Sequence, residues 1–318
     1  MRTLLFDGQL KLADIEIPKP LKGEVLIKVL YSSICNTDIE LTKGYMDFYG
    51  TPGHEFVGEV ISETSSLFKK KVVGEINCSC GKCVMCRKNR TTHCLDRTVL
   101  GIYRKQGVFA EYITLPEHNL HVIPEDSDID ITDYIFTEPL AAAYEIFEQT
   151  HITSNDKIFI FGTGKLGILV SLLCKRFGMN YTAFNKNDYK IKVCSSLGIN
   201  SKNISELSFS DYADICIDCS GNPEGLNLSI NHLYPRGKLV LKSTIADKHK
   251  IDFNQIIVNE LELIGSRCGP FKPALNLINQ NIINFKPLVS KIFSFENILE
   301  AFNFANTNKN IFKIIIKH

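Results

Sequence analysis

The rhythm of hydrophobic and polar positions changes once along the chain. Up to about residue 125 the apolar runs are short and broken by turn formers. Glu24–Leu30, Phe56–Ile61 and Phe109–Leu115 read as strands, punctuated by Pro18, Pro20, Gly23, Pro52, Gly53, Gly74, Gly101, Gly107 and Pro116. This part predicts an all-β, barrel-like unit with a cysteine-rich lobe inserted. After Pro124 helical spacing takes over. Thr137–Phe147 carries small and apolar residues at helical intervals, with Pro139 near its start. A β-α-β rhythm follows: strand Lys157–Phe161, helix Lys165–Gly178, strand Tyr181–Asn185, and helix Tyr189–Leu197 stopped by Gly198. Asp214–Cys219 and Lys238–Ser243 read as further strands. Apolar strands alternating with helices predict a parallel, doubly wound sheet. From about Asn276 the tail adds a helix, Phe295–Phe304, and a strand, Ile311–Ile316. The expected class is α/β. Residues 1–125 and 276–318 form one domain in this reading, and 126–275 the other.

Composition narrows the function. The chain has 318 residues, 44 % of them hydrophobic, enough for two packed cores. With 36 Lys+Arg against 35 Asp+Glu the net charge is +1. That balance argues against a nucleic-acid or membrane-surface binder led by bulk charge. No apolar run reaches the roughly 18 residues of a membrane span, and Asp7 comes too early for a secretory segment. A soluble, cytoplasmic protein is expected. Eleven cysteines in such a chain point to metal ligation before disulfides, and five of them lie between 78 and 94.

Three groups of residues carry chemistry. Gly162-Thr163-Gly164-Lys165-Leu166-Gly167 follows an apolar strand and opens a helix, the context in which this spacing binds a dinucleotide. Gly162 permits the tight turn, Gly164 a close approach of pyrophosphate, and Gly167 close helix–strand packing. The next strand ends in Asn185-Lys186, without the acid that would accept a ribose 2′-hydroxyl. A neutral Asn185 and a cationic Lys186 favour NADP over NAD; the competing acid, Asp188, falls where the next helix should be capped. Cys80, Cys83, Cys86 and Cys94 offer four thiolates, a closed tetrahedral set suited to structural zinc. Thiolates also hold iron–sulfur clusters. Cys78 reads as an apolar strand residue outside this set. Finally, Cys35, His54, Glu55 and Glu138 offer a thiolate, an imidazole and two carboxylates from three distant places.

Together with Gly53-His54-Glu55-Phe56-Val57-Gly58, Glu138-Pro139-Leu140-Ala141 and Gly265-Ser266-Arg267-Cys268-Gly269, these motifs resemble the zinc-containing medium-chain dehydrogenase/reductase family. The resemblance runs nearly the whole chain. It implies a GroES-like β-barrel catalytic domain, completed by the tail, with a Rossmann domain inserted. It also implies two Zn²⁺ per chain and hydride transfer between NAD(P) and a secondary alcohol, polyol or sugar. Cys35 and His54 then look like ligands of a catalytic zinc. Glu138 resembles the third ligand or its water partner in the sorbitol, threonine and glucose dehydrogenase branches. Glu55 is similar to the carboxylate that enters or leaves the metal shell. Asp38 looks like the partner that orients His54, and Thr37 like the hydroxyl that relays the substrate proton. Many members carry histidine where this chain has Glu40. A homodimer or homotetramer acting on a small alcohol or carbonyl compound is implied. The rivals are a zinc-free quinone or enoyl reductase on the same fold, and a non-enzymatic dinucleotide-binding regulator.

Overall fold

The computed structural model describes residues 1–243 and 251–318. They divide into two compact units, Met1–Glu138 with Leu275–His318, and Pro139–Ala274. Glu24–Ile34 is the central strand of the first unit. Its first half pairs with Tyr112–Pro116, and Glu55–Val60 and Lys313–Lys317 flank it, all antiparallel. The sheet continues through Lys71–Gly74 to Leu120–Val122 on one side, and to Val289–Ser294 on the other. Leu4, Ile34, Phe109, Phe302, Ile314 and Ile316 pack into one core, so the tail is an integral part of the barrel.

Pro139–Ala274 holds a parallel six-stranded sheet. Its order is Ser201–Asn203, Asn180–Asn185, Lys157–Phe161, Ala213–Asp218, Leu233–Leu241 and Glu262–Gly265. The strand Lys157–Phe161 is at the centre and buried over Ile158–Phe161, which explains its unbroken apolar run. The helix Gly167–Arg176 is buried from Gly167 to Cys174 and is apolar there except for Ser171, whose hydroxyl donates to the Gly167 carbonyl at 2.8 Å. Among the described residues, no helix is long and apolar enough to cross a membrane.

The structure departs from the sequence reading in identifiable places. The break between units falls at 138/139, not at 125/126. The intervening turn Ile131–Phe136 belongs to the barrel side: Phe136 stacks on Phe285 at 4.5 Å, and the Tyr134 hydroxyl donates to Asn279 at 2.7 Å. The strand expected at Lys238 begins at Leu233, because Tyr234-Pro235-Arg236-Gly237 reads as a turn yet lies in the strand. The helix expected at Phe295–Phe304 is a short 3₁₀ turn followed by a helix over Ile298–Thr307. The hairpin Arg2–Phe6/Leu10–Asp14 and the helices Pro223–Asn231 and Phe271–Asn279 have no counterpart in the expected elements.

His318 tests the packing of the tail. Its ring stacks on Phe295 at 4.6 Å, and Nε2 lies 2.8 Å from the Ser32 hydroxyl. Burial drives its pKa from 6.5 down to about 3. The unfolded chain therefore takes up this proton first. The contribution to stability is complete above pH 6.5 and is lost as the pH falls from there towards 3. The urea midpoint should drop between about pH 7.5 and about pH 5.5, and His318→Gln should reduce that drop.

Candidate active site

Strand register assembles the first cluster. Cys35 follows the central strand and caps the helix Asn36–Leu41. Asp38, in the first turn of that helix, accepts the Cys35 N–H through Oδ2 at 2.8 Å. Its other oxygen lies 3.1 Å from Nδ1 of His54, and both side chains are buried. A histidine held by a carboxylate at Nδ1 has its tautomer and ring plane fixed, and Nε2 is left for a metal. Burial works against a charge on His54, but the neighbouring Asp38 carboxylate outweighs it and lifts the pKa well above the ordinary value.

Glu55 begins the adjoining strand directly opposite Ser33. Its Oε2 accepts from the Ser33 hydroxyl and from Nζ of Lys313, the latter at 2.7 Å. Lys313 is 2 % exposed and Glu55 1 %. Burial pushes the Glu55 carboxyl up, and the cation of Lys313 with its hydrogen bonds brings it below the ordinary carboxylate range. Burial likewise opposes the charge on Lys313, while Glu55, then Cys35 and more weakly Glu138 raise its pKa. The other oxygen of Glu55, Oε1, is buried without a hydrogen-bond partner. Such an atom is costly in a protein interior unless a cation or ligand meets it.

Donor atoms of Cys35, His54 and Glu55 lie within 4.8 Å of one another. A thiolate, an imidazole and a carboxylate with one unmatched oxygen fit zinc with a fourth position open. Glu138, in the first turn of the helix Thr137–Gln149, is outside this trio, although its charge reaches Lys313. Thr37 Oγ1 is 3.9 Å from the Cys35 sulfur. The sequence reading missed Lys313. The available signal was one charge inside the apolar run Ile311-Phe312-Lys313-Ile314-Ile315-Ile316.

A second cluster is local. The sulfurs of Cys80, Cys83, Cys86 and Cys94 lie within 4.8 Å of one another. Cys83 is 3.5 Å from Cys86 and 3.8 Å from Cys94. Tetrahedral zinc with bonds of about 2.3 Å puts sulfurs about 3.8 Å apart, so the cage fits that ion. Backbone N–H groups of Cys86 and Leu95 lower the Cys83 thiol to about 6, whereas burial and its thiol neighbours raise Cys86 to about 11. Cys78 lies in the strand Asn77–Cys78, buried and outside the cage.

The glycine turn joins the central parallel strand to its helix. Gly162 has φ +91°, and a β-carbon there would meet the backbone of Ser220 at 2.7 Å. One on Gly167 would fall 1.8 Å from the Gly162 carbonyl oxygen. Gly164 is different. A β-carbon there meets only Nζ of Lys190, at 4.0 Å. This open cradle, at the start of a helix and beside a cation, suits a phosphate group. Thr163 is buried and its hydroxyl accepts from the Asn185 amide at 2.8 Å, while Asn185 Oδ1 accepts the Asn187 N–H at 2.9 Å. Leu166 caps the helix, preceded by Lys165. Lys186 pairs with Glu224 at 3.2 Å on the surface. The cap of the next helix is Asn187, and Asp188 is its first residue, where it accepts from Asn203 at 3.0 Å. Lys190, partly desolvated so that its pKa falls, was not singled out in the sequence.

The chain matches the alcohol dehydrogenase GroES-like domain over residues 21–125 and the zinc-binding dehydrogenase domain over residues 166–280. A sorbitol dehydrogenase of Halalkalibacterium halodurans is 28 % identical over 317 residues, covering 92 % of each chain. In structure the chain is similar to galactitol-1-phosphate dehydrogenase of Escherichia coli, with TM-score 0.89, 24 % identity and 100 % coverage of both chains. It is also similar to a protein of Escherichia coli CFT073 described as a short chain alcohol dehydrogenase and solved with NADH. There the TM-score is 0.91 and the identity 22 %, over 100 % of this chain and 99 % of that one.

The glycines separate fold from ligand. Gly167→Ala should destabilise by about 1–3 kcal/mol, because the new methyl meets backbone. Gly164→Ala should leave the melting temperature unchanged and weaken dinucleotide binding on the order of tenfold. Thermal melts and fluorescence titration with reduced dinucleotide read both effects.

Proposed function

We propose, on the premise that the chain belongs to the zinc-containing medium-chain dehydrogenase/reductase family, that it oxidises a polyol or related secondary alcohol and reduces the matching carbonyl compound, using NADP in preference to NAD. The observation that carries this reading is the trio of a half-buried Cys35 with the buried His54 and Glu55, Oε1 of Glu55 being unmatched. A zinc ion on these residues supplies Lewis acidity towards the substrate oxygen, and the dinucleotide supplies or accepts the hydride.

The protein's own groups do the rest. Asp38 fixes the ring of His54 and leaves Nε2 for ligation. Lys313 and Ser33 hold Oε2 of Glu55, which leaves Oε1 as the oxygen that would be available to a zinc ion. The Thr37 hydroxyl, beside the Cys35 sulfur, moves the substrate proton at Oγ1. Glu138 is the acid available to a water at the site, with its charge felt at Lys313. The four thiols at Cys80, Cys83, Cys86 and Cys94 hold a second, structural zinc. A zinc-free reductase would have no use for a thiolate, imidazole and carboxylate brought within 4.8 Å.

Cofactor choice follows from charge at the end of Asn180–Asn185. No carboxylate ends that strand, Asn185 is tied to Thr163, and Lys190 sits above Gly164. Lys186 faces Glu224, so Lys190 is the cation we assign to the adenosine-side phosphates. A homodimer is our reading of the strand Glu262–Gly265, which ends the sheet among the described residues, because Phe253, Ile257 and Val258 nearby in sequence are 64, 71 and 79 % exposed. Light scattering should then give twice the 35.9 kDa chain mass.

The first measurement is initial rates with NADP and NAD against polyols, aldoses, amino alcohols and simple secondary alcohols. Turnover of polyols with a higher kcat/KM for NADP is expected, and turnover with NAD alone would overturn the reading of Asn185 and Lys190. Cys35→Ser should abolish turnover, keep dinucleotide binding, and lower zinc from two ions per chain to one. In a separate variant that keeps Cys35, Asp38→Asn should weaken binding of the catalytic metal by about 10–100-fold in a chelator competition.

A further inference from the structure

Lys242 follows the strand Leu233–Leu241 and is 8 % exposed. Its ammonium donates to the carbonyl of Ala142 at 2.6 Å, the carbonyl of Arg267 at 2.8 Å and the hydroxyl of Ser266 at 3.1 Å. An ammonium has three protons to give, and oxygens on two other segments of the chain receive them. The backbone adds to the tie: Lys242 N–H donates to the Asp218 carbonyl at 3.1 Å, and Ser266 N–H to the Leu241 carbonyl at 3.0 Å. Ser243 adds a second link to the same exit, its hydroxyl accepting the Gly221 N–H at 2.9 Å. Residues 242 and 243 thus bind together the exits of Ala213–Asp218 and Glu262–Gly265 and the helix Thr137–Gln149.

Burying a lysine is expensive, and an apolar side chain would fill the space at lower cost. The location gives the expense a purpose. In a doubly wound sheet of this order each half binds one mononucleotide at the carboxyl ends of its strands. The glycine turn belongs to the half made by Lys157–Phe161, Asn180–Asn185 and Ser201–Asn203. Lys242 closes the exits of the opposite half.

We propose that Lys242 is a positioning residue for the nicotinamide half of the cofactor. By holding the Arg267 carbonyl and the Ser266 hydroxyl, it presets the chain leaving Glu262–Gly265 to receive the nicotinamide ribose and carboxamide. The adenosine half is recognised without it. This rests on the reading of the chain as a dinucleotide-dependent dehydrogenase and adds to it a division of binding energy between two parts of the same ligand.

The test compares a whole cofactor with its fragment, by calorimetry on the zinc-replete, full-length protein. NADPH is paired with 2′-phospho-ADP-ribose, and NADH with ADP-ribose. Lys242→Met should weaken the whole dinucleotide about tenfold while fragment affinity changes less than about twofold. Ser266→Ala, which removes one acceptor and no buried charge, should shift the same ratio in the same direction by about threefold, and it serves where Lys242→Met does not fold. Parallel weakening of cofactor and fragment would reduce Lys242 to a general stabiliser and overturn the proposal, as would an unchanged ratio in both variants. Failure of the unmodified protein to bind either ligand would instead overturn the dehydrogenase reading beneath it.

Discussion

The register of one strand governs the candidate active site. Glu24–Ile34 is paired on both edges, and its last residues set what comes together. Ser33 faces Glu55 on one side and Ile315 on the other, while Ile34 faces Ile314. The next step along each strand brings Cys35 and Lys313 to the same end. A slip of one residue would send Glu55 or Lys313 to the opposite face of the sheet. The apolar partners Ile34, Ile314 and Ile316 make that slip expensive, because they would leave the core with it. Hydrophobic patterning therefore positions the polar site.

The site then has to be stable with several charges out of water. Glu55 and Lys313 are buried together, and such a pair is worth keeping only when its geometry is good and its remaining atoms are satisfied. Oε2 meets that condition with two donors. Oε1 does not: it is buried without a hydrogen-bond partner, so the pair by itself is an incompletely satisfied bridge. Asp38 shows the complementary arrangement. One of its oxygens stabilises the helix start through the Cys35 N–H, and the other faces His54. A single carboxylate thus couples the position of a thiol to the orientation of an imidazole.

What was legible in the sequence was what is local in space. The glycine turn, the four-cysteine lobe and the strand–helix alternation each lie within a short stretch, so residue spacing reflects geometry directly. Cys35 and the His54-Glu55 pair were legible through their motif context and not from spacing, since they lie at the ends of two different strands, 19 positions apart in the chain at their nearest. Lys313 was not legible, because its partner lies 258 positions earlier in the chain. The domain boundary was misplaced for a related reason. The stretch from Ile131 to Phe136 has no marked periodicity, and only its contacts with Phe285 and Asn279 assign it to the barrel. Lys190 escaped attention because a lysine in the first turn of a helix reads as a solvated charge until its distance from Gly164 is known.

The two sulfur-bearing clusters differ in what must fold before they exist. Cys80 to Cys94 close a small loop, so the entropy of bringing four thiols together is modest and the cage needs little beyond its own lobe. The cluster at Cys35 requires the whole barrel. Without the strand Lys313–Lys317 in place, Glu55 would be a buried carboxylate lacking its cation, a state costing several kcal/mol. Docking of the tail and charge balance at the site are consequently one event. The same short strand closes the hydrophobic core with its isoleucines and supplies the site's counter-charge with its lysine. Stability of the barrel and competence of the site are linked through it.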